Sequence, residues 1–211
     1  MSDTVLNAAE LGRKQDFMIA RAEAIEAYSR LEQILCEAFA YFGDMSNHTA
    51  GTIFFRISAA RSRREMLDKL KVQKAGVGYS PYWNSILGLL APLEDERNKV
   101  VHWALAVAIY VNMGTQEHRF YTMLKTPNFW SWTDKTPELF QEDLEIFAGR
   151  CQLVGESVRH FLALLSGKLD GAERDTWREI CQQPLTYQLP PDHPLYLPPI
   201  APPPLRRPWQ G

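Results

Sequence analysis

The sequence predicts an all-α fold: an up-and-down helical bundle with a small β-hairpin insertion and an extended proline-rich C-terminal tail. Three observations carry that expectation. Phe140, Leu144, Phe147, Cys151, Val154, Val158, Phe161 and Leu165 step by four and three throughout, a seam of coiled-coil type on one helix. After Trp103 the period shortens to that of strands, around a turn at Gly114. From Pro184 onward, 10 of the 14 prolines accumulate, too dense for helix or sheet. The expected units are therefore a helical domain over 1–183, with the hairpin at about 106–125, and a tail over 184–211.

The elements follow in order. Ala24, Tyr28, Leu31, Leu35, Ala38 and Phe42 form one stripe, which predicts a first helix from about Lys14 to Phe42, with a short helical turn over 3–12 ahead of it. Gly43-Asp-Met-Ser-Asn closes that helix. A second is expected from Asn47 to about Lys74, with Ile53, Ile57, Ala60 and Leu67 inward. Gly76-Val-Gly-Tyr-Ser-Pro is a break. The third helix opens at Ser80 as N-cap with Pro81 at its first position and carries Trp83, Ile86, Leu87, Leu90 and Leu93 inward. An interior proline costs about 3 kcal/mol, so Pro92 is expected to kink this helix or to start a new one. Thr136-Pro137-Glu138 reads as the start of the seam helix, Gly167 as its end, and Ala172 to Cys181 as a short last helix. The tail holds Leu195, Tyr196, Leu197, Ile200, Leu205 and Trp209. It is too apolar for a spacer and is expected to lie along the body or on a protein partner.

The chain has 211 residues, 45% of them hydrophobic and 23% charged, which excludes a disordered chain, a collagen and a disulfide scaffold. No apolar run approaches the roughly 20 residues of a membrane span, and the start lacks the basic and apolar regions of a secretory signal. Cys36, Cys151 and Cys181 are odd in number and set in helical patterns, which fits buried thiols in a cytoplasmic protein. The net charge of -2 hides a basic segment: residues 47–74 hold seven basic and two acidic groups, net +5. That segment permits an anionic partner through Arg61 and Arg64, or it is a solvated helix face neutralised by the acidic first helix.

Most catalytic signatures are missing from the sequence. There is no glycine-rich phosphate loop, no Gly-x-Ser-x-Gly elbow, no Cys-x-x-Cys and no His-Glu-x-x-His, and the five histidines show no metal spacing, so neither a metal nor a cofactor is expected. Cys151 and His160 lie nine residues apart on one helix and read as a core thiol and a surface imidazole. Phe129-Trp-Ser-Trp132 reads as a loop plugging the core, and Pro199-Ile-Ala-Pro202 as a minimal proline-rich ligand pattern expected by chance.

One segment differs. Glu94-Asp-Glu-Arg97-Asn98-Lys-Val-Val-His102-Trp103 packs a guanidinium, an amide and an imidazole into six residues at a helix end. Asn98 and His102 share a face, and Arg97 lies to one side. Glu94 or Asp95 is placed to accept from the imidazole and fix its tautomer. A cation, an amide and a group titrating near neutrality suit holding a phosphodiester while moving a proton. The competing arrangement pairs Arg97 with Glu94 or Glu96 and lets His102 cap the helix C-terminus.

Arg97-Asn98-Lys99-Val100-Val101-His102 resembles the motif of the HEPN superfamily (higher eukaryotes and prokaryotes nucleotide-binding), whose helical bundles carry Arg, a polar residue that is often Asn, and a nearby His. With 15 Arg, 6 Asn and 5 His in the chain, an Arg with a His five to seven residues later is expected about once by chance, and Arg-Asn with a His at the fifth position about 0.01 times. A HEPN-like region over residues 15–167 is implied by the resemblance, and the expected hairpin and the proline tail depart from its compact family pattern. The resemblance implies a metal-independent endoribonuclease, bacterial and part of a toxin–antitoxin or defence system, with Arg97 and His102 as the catalytic pair and Asn98 as a positioning residue. It also allows a non-catalytic dimerisation, nucleotide-binding or partner-binding protein. Cleavage through a ribose 2′-hydroxyl needs one group to take a proton and another to give one, and the motif holds one histidine. A homodimer that brings both copies of Arg97 and His102 to one axis is the expected assembly.

Overall fold

A single stripe of small and aromatic side chains organises the molecule. The computed structural model describes residues 8–112, 117–128 and 136–196. Its first helix, α1 (Ala8–Phe42), is about 52 Å long at 1.5 Å per residue. It buries Phe17, Ala20, Ala24, Tyr28, Leu31, Ala38, Phe39 and Phe42. Beside it lies α5 (Gln141–Leu165), which carries the expected seam: Leu144, Phe147, Cys151, Val154, Val158 and Phe161 are all buried. The two helices are parallel neighbours, because Tyr28 stacks on Phe147 with centroids 6.2 Å apart and Phe42 meets Phe161 at 6.5 Å. Their approach is close. A Cβ on Gly155 would stand 2.9 Å from Ile34 Cδ1, so even an alanine there makes the end of the Ile34 side chain shift.

The other helices alternate in direction. After α1 the chain turns back through α2 (Asn47–Phe54), capped by Ser46, whose Oγ accepts from Thr49 N at 3.1 Å. It returns along α1 as α3 (Ala60–Ala75), with Arg63 on Glu32 and Lys74 on Asp44. It descends as α4 (Ser80–His102), with Phe42 against Trp83 near one end and Arg21 on Val100 at the other. The short α6 (Gly171–Ile180) follows α5 and lays Trp177 on His160, centroids 4.2 Å apart. Six helices and a small antiparallel sheet thus make up the described residues.

The expected second helix is two helices. Phe54 turns inward onto Phe39, with centroids 5.7 Å apart, and Arg63 stacks over Phe54 at 5.3 Å. Both contacts require the chain to reverse between them, so residues 55–59 leave the helix and Ile53 is 40% exposed rather than inward. Pro92 starts no new helix: α4 runs through it. Pro92 and Gly88, whose carbonyl loses its usual partner, are both exposed, so water meets the freed acceptor. At the α4 start the cap is Tyr79, with φ of +61°, and Ser80 is the first helical residue. The bend before it is fastened by the buried Lys71, whose Nζ donates to Gly76 O at 3.2 Å and Gly78 O at 2.7 Å.

The hairpin forms as expected from β1 (Ala104–Asn112) and β2 (Glu117–Lys125), in register from Ala104 opposite Lys125 to Asn112 opposite Glu117. Its Gly114 turn lies outside the described residues, as do residues 3–7 of the turn expected over 3–12, the Phe129–Trp132 run and Pro199–Pro202, while residues 8–12 belong to α1 rather than to a separate turn. A third strand, β3 (Glu138–Leu139), pairs with Leu124 and Lys125, and Lys125 binds Glu138 at 2.7 Å. That pairing displaces the expected helix start: α5 begins at Gln141, and Phe140 N donates to Asp143 Oδ2 at 2.9 Å.

The proline-rich tail departs from an extended form over 184–196. It makes turns, His193 N to Pro190 O at 3.0 Å and Tyr196 N to His193 O at 2.8 Å. It is also bound to the body: Leu185 is buried and its N–H donates to Ser85 Oγ at 2.7 Å, and the Tyr187 hydroxyl donates to Leu89 O at 3.4 Å. Residues 197–211 lie outside the described part.

Candidate functional site

Arg97, Asn98 and His102 lie over the last two turns of α4, with His102 in the final one. Val100, between them, is buried and fixes the helix against the core. The carbonyls of this turn are taken by α1: Arg21 Nε donates to Val100 O at 2.9 Å, and Nη2 donates to Val101 O at 3.0 Å and Trp103 O at 3.2 Å. Burial lowers the Arg21 pKa, yet an arginine remains cationic, which suits the negative end of a helix. Arg21 therefore fills the capping role that the competing arrangement gave to His102. The imidazole stands exposed, with no hydrogen-bond partner among the described residues.

Arg97 also escapes the nearby pairing. Glu94 binds Arg64, and Glu96 binds Arg150 at 3.2 Å. The Arg97 guanidinium sits 5.8 Å from the Tyr28 ring centroid, and its Nη1 donates to Asn98 Oδ1 at 3.2 Å. It makes no ion pair among the described residues. Asn98 is exposed on the same face as His102, four residues on. Glu94, meanwhile, makes no bond to the imidazole. Burial raises its pKa, with the Arg64 and Arg63 charges opposing.

The Arg97 and His102 side chains are not brought into one cleft within a chain. A five-residue step turns a helix by about 140°. The cavity at Arg97 is only about 30 Å³, lined by Tyr28, Glu32, Arg97, Val100 and Phe147 among others, which is room for a water rather than a phosphate. Arg61 and Arg64 are not beside it as free cations. Arg61 is 83% exposed and bonds Glu65 at 2.8 Å, while Arg64 is only 20% exposed and held by Glu94. Arg63 and Lys74 are likewise tied to Glu32 and Asp44, so the basic segment is largely neutralised by α1, its following turn and α4.

Other groups are set away from chemistry. Burial pushes the Cys151 and Cys181 thiols up to about 12 and also raises Cys36, which leaves them as core side chains rather than nucleophiles. Among the described residues no three His, Cys, Asp or Glu side chains are grouped to hold a metal ion. Sequence reasoning missed Arg21, because no local pattern marks a residue whose partners lie about 80 positions away. It also missed the stack of His160 on Trp177, with His193 edge-on at 5.9 Å. The chain matches no family model, no curated protein and no solved structure compared with it.

Proposed function

We propose that this chain is a HEPN-like, metal-independent endoribonuclease whose active form is a homodimer. One observation carries it. Three acidic residues precede Arg97, yet two are drawn to other arginines and Arg97 keeps its charge unpaired next to Asn98, with His102 open to solvent. In the reaction, His102 of one chain removes the proton from a ribose 2′-hydroxyl. Its counterpart in the second chain protonates the leaving 5′-oxygen. Arg97 bonds the phosphoryl oxygens as negative charge builds on them, and the amide of Asn98 orients that guanidinium. The products are a 2′,3′-cyclic phosphate and a 5′-hydroxyl.

A second copy is needed because one chain supplies a single histidine and no shared cleft. The strand that follows His102 favours such pairing: β1 is at the sheet edge, with Val107 and Ile109 44% and 52% exposed. A bacterial cytoplasmic toxin–antitoxin or defence setting fits this activity. The narrow cavity at Arg97 and the bound state of Arg64 favour a second reading, a HEPN-like dimerisation module that binds a nucleotide or protein partner without cleaving RNA. Purified protein incubated with labelled RNA in EDTA, beside His102→Ala, separates the two. Cleavage to cyclic phosphate ends that the substitution abolishes supports the enzyme. A dimer that leaves RNA intact under all conditions supports the module.

A further inference from the structure

An unpaired guanidinium among carboxylates needs a hold that leaves its charge intact. For Arg97 that hold is Tyr28 on α1, whose ring centroid lies 5.8 Å from the guanidinium carbon. The ring attracts the cation through the negative face of its quadrupole and takes no conventional hydrogen bond from it. A carboxylate in the same place would occupy two N–H donors and cancel the charge. One guanidinium nitrogen donates to Asn98 Oδ1 at 3.2 Å, and the ring leaves the other donors for a ligand.

Tyr28 is itself held. It is buried, and Phe147 on α5, also buried, stacks on it at 6.2 Å with the planes 16° apart. The two rings are thus fixed where α1 meets α5. The Tyr28 hydroxyl stays neutral: burial raises its pKa, Glu32 and Glu94 raise it further, and Arg63 and Arg97 oppose. Arg97 is therefore held by a neutral ring, not by a phenolate. Glu32 and Glu94 are taken by Arg63 and Arg64, so neither draws Arg97 off the ring. The small cavity between Arg97 and the two rings has no room for a phosphate, and a phosphodiester meets the guanidinium from outside it. An arginine loses much rotamer freedom when a ligand fixes it, and a ring that holds it beforehand removes part of that cost. We propose that Tyr28 is a positioning residue for Arg97: its ring, clamped by Phe147, holds the guanidinium ready for a phosphodiester while leaving its charge and donors free. The proposal rests on Arg97 meeting a phosphodiester, as in the endoribonuclease reading, and gives Tyr28 no chemical step.

Replacing Tyr28 in the full chain by phenylalanine, and then by its difluoro and pentafluoro analogues, tests it. Fluorination drains the negative face of the ring while its shape and burial change little. The probe is a fluorescent single-stranded RNA with 2′-O-methyl riboses, which cannot be cleaved through the 2′-oxygen. Tyr28→Phe should bind within about twofold of the starting protein, the pentafluoro form about fivefold more weakly, and the difluoro form between them. In an Arg97→Gln background the series should be flat. A series that is equally flat with Arg97 in place, beside a loss from Arg97→Gln, overturns the role of Tyr28 and leaves the endoribonuclease reading standing. Binding that ignores Arg97→Gln overturns both, since Arg97 then meets no phosphodiester. A second measurement needs no RNA. In nuclear magnetic resonance the Arg97 Cδ and Nε protons should be shifted upfield by the ring current in the starting protein and in Tyr28→Phe, and return to ordinary values in Tyr28→Leu. Ordinary values in the starting protein overturn the stack itself.

Discussion

The α3 helix and the end of α4 from Arg97 to His102 are both cationic in sequence, and the fold treats them in opposite ways. On α3, Arg63 and Arg64 meet Glu32 and Glu94 from neighbouring helices, and Lys71 is buried on backbone carbonyls. At the end of α4, Arg97 sits among carboxylates and keeps none of them. The region with the greater charge density is thus the one whose arginines are all paired, leaving Lys69 as its exposed cation without an ion pair among the described residues, whereas Arg97 is unpaired. Availability is decided by the packing of other helices, which deliver acids to α3 and remove them from Arg97.

The largest effect expected from this contrast is on catalysis. His102→Ala should lower RNA cleavage by about 100-fold or more, the usual worth of a positioned acid or base. Its exposure means that the melting temperature stays put. Mixed dimers of one normal and one His102→Ala chain should be nearly as inactive as the double variant. Mixed dimers keeping half the normal rate would show that each chain holds a complete site. A monomer by light scattering that still cleaves RNA would remove the composite site altogether.

Next comes stability, and here α3 should respond where α4 does not. Arg64→Ala leaves Glu94 largely buried without its cation, and burial already raises that carboxyl's pKa. The loss should be about 1–3 kcal/mol in chemical denaturation at neutral pH. Arg61→Ala breaks only an exposed pair within one helix and should cost below about 0.5 kcal/mol. Equal costs at the two positions would mean that the Arg64 pair is no more than a surface contact.

Binding sharpens the comparison further. If Arg97 touches phosphate, Arg97→Gln should lower the slope of log K against log salt for RNA by about 1. Arg64→Gln should leave the slope alone, and Arg61→Gln should lower it only if that exposed end of α3 also reaches RNA. Slopes from fluorescence anisotropy across several salt concentrations check all three. A fall at Arg64 without a fall at Arg97 would invert the assignment.

These differences also show what was legible in the sequence. Periodicity exposed the stripe on α1 and the seam on α5, because one residue in three or four must face the core whatever its partner is. The hairpin was legible for the same reason at period two. The break between α2 and α3 is not legible: it is forced by Phe54 packing on Phe39 across a turn, a demand that no window along the chain contains. Within the motif, local spacing leaves Arg97 either free or paired with Glu94 or Glu96, and offers Glu94 or Asp95 to the imidazole. Glu94 and Glu96 instead bind arginines 30 and 54 residues away, and the cap on α4 arrives from 79 residues away. Ion pairing is cheap to rearrange along a sequence and is fixed only when helices dock.

The smallest expected effect contrasts two histidines. His102 is open, whereas His193, part of the strap over 184–196, is partly buried. Its Nδ1 accepts from Leu195 N at 3.0 Å, its Nε2 is buried without a partner among the described residues, and its ring meets Trp177 edge-on. Burial lowers its pKa, His160 on α5 lowers it further, Asp192 beside it opposes, and α6 presents the uncharged Trp177. Since the docked pKa lies below that of a free histidine, near 6.5, docking of the strap is favoured fully above that pH. The advantage is lost as pH falls through the depressed value. Protonation would also place a hydrogen on Nδ1 against the Leu195 N–H, two donors face to face. Hydrogen-exchange protection of the Leu185 and Leu195 amides, corrected for intrinsic rates, should therefore fall between pH 7.5 and 5. His193→Gln should flatten that dependence while the α1 and α5 amides stay protected. A strap whose protection ignores pH would show that its hold rests on Leu185 and Tyr187 alone.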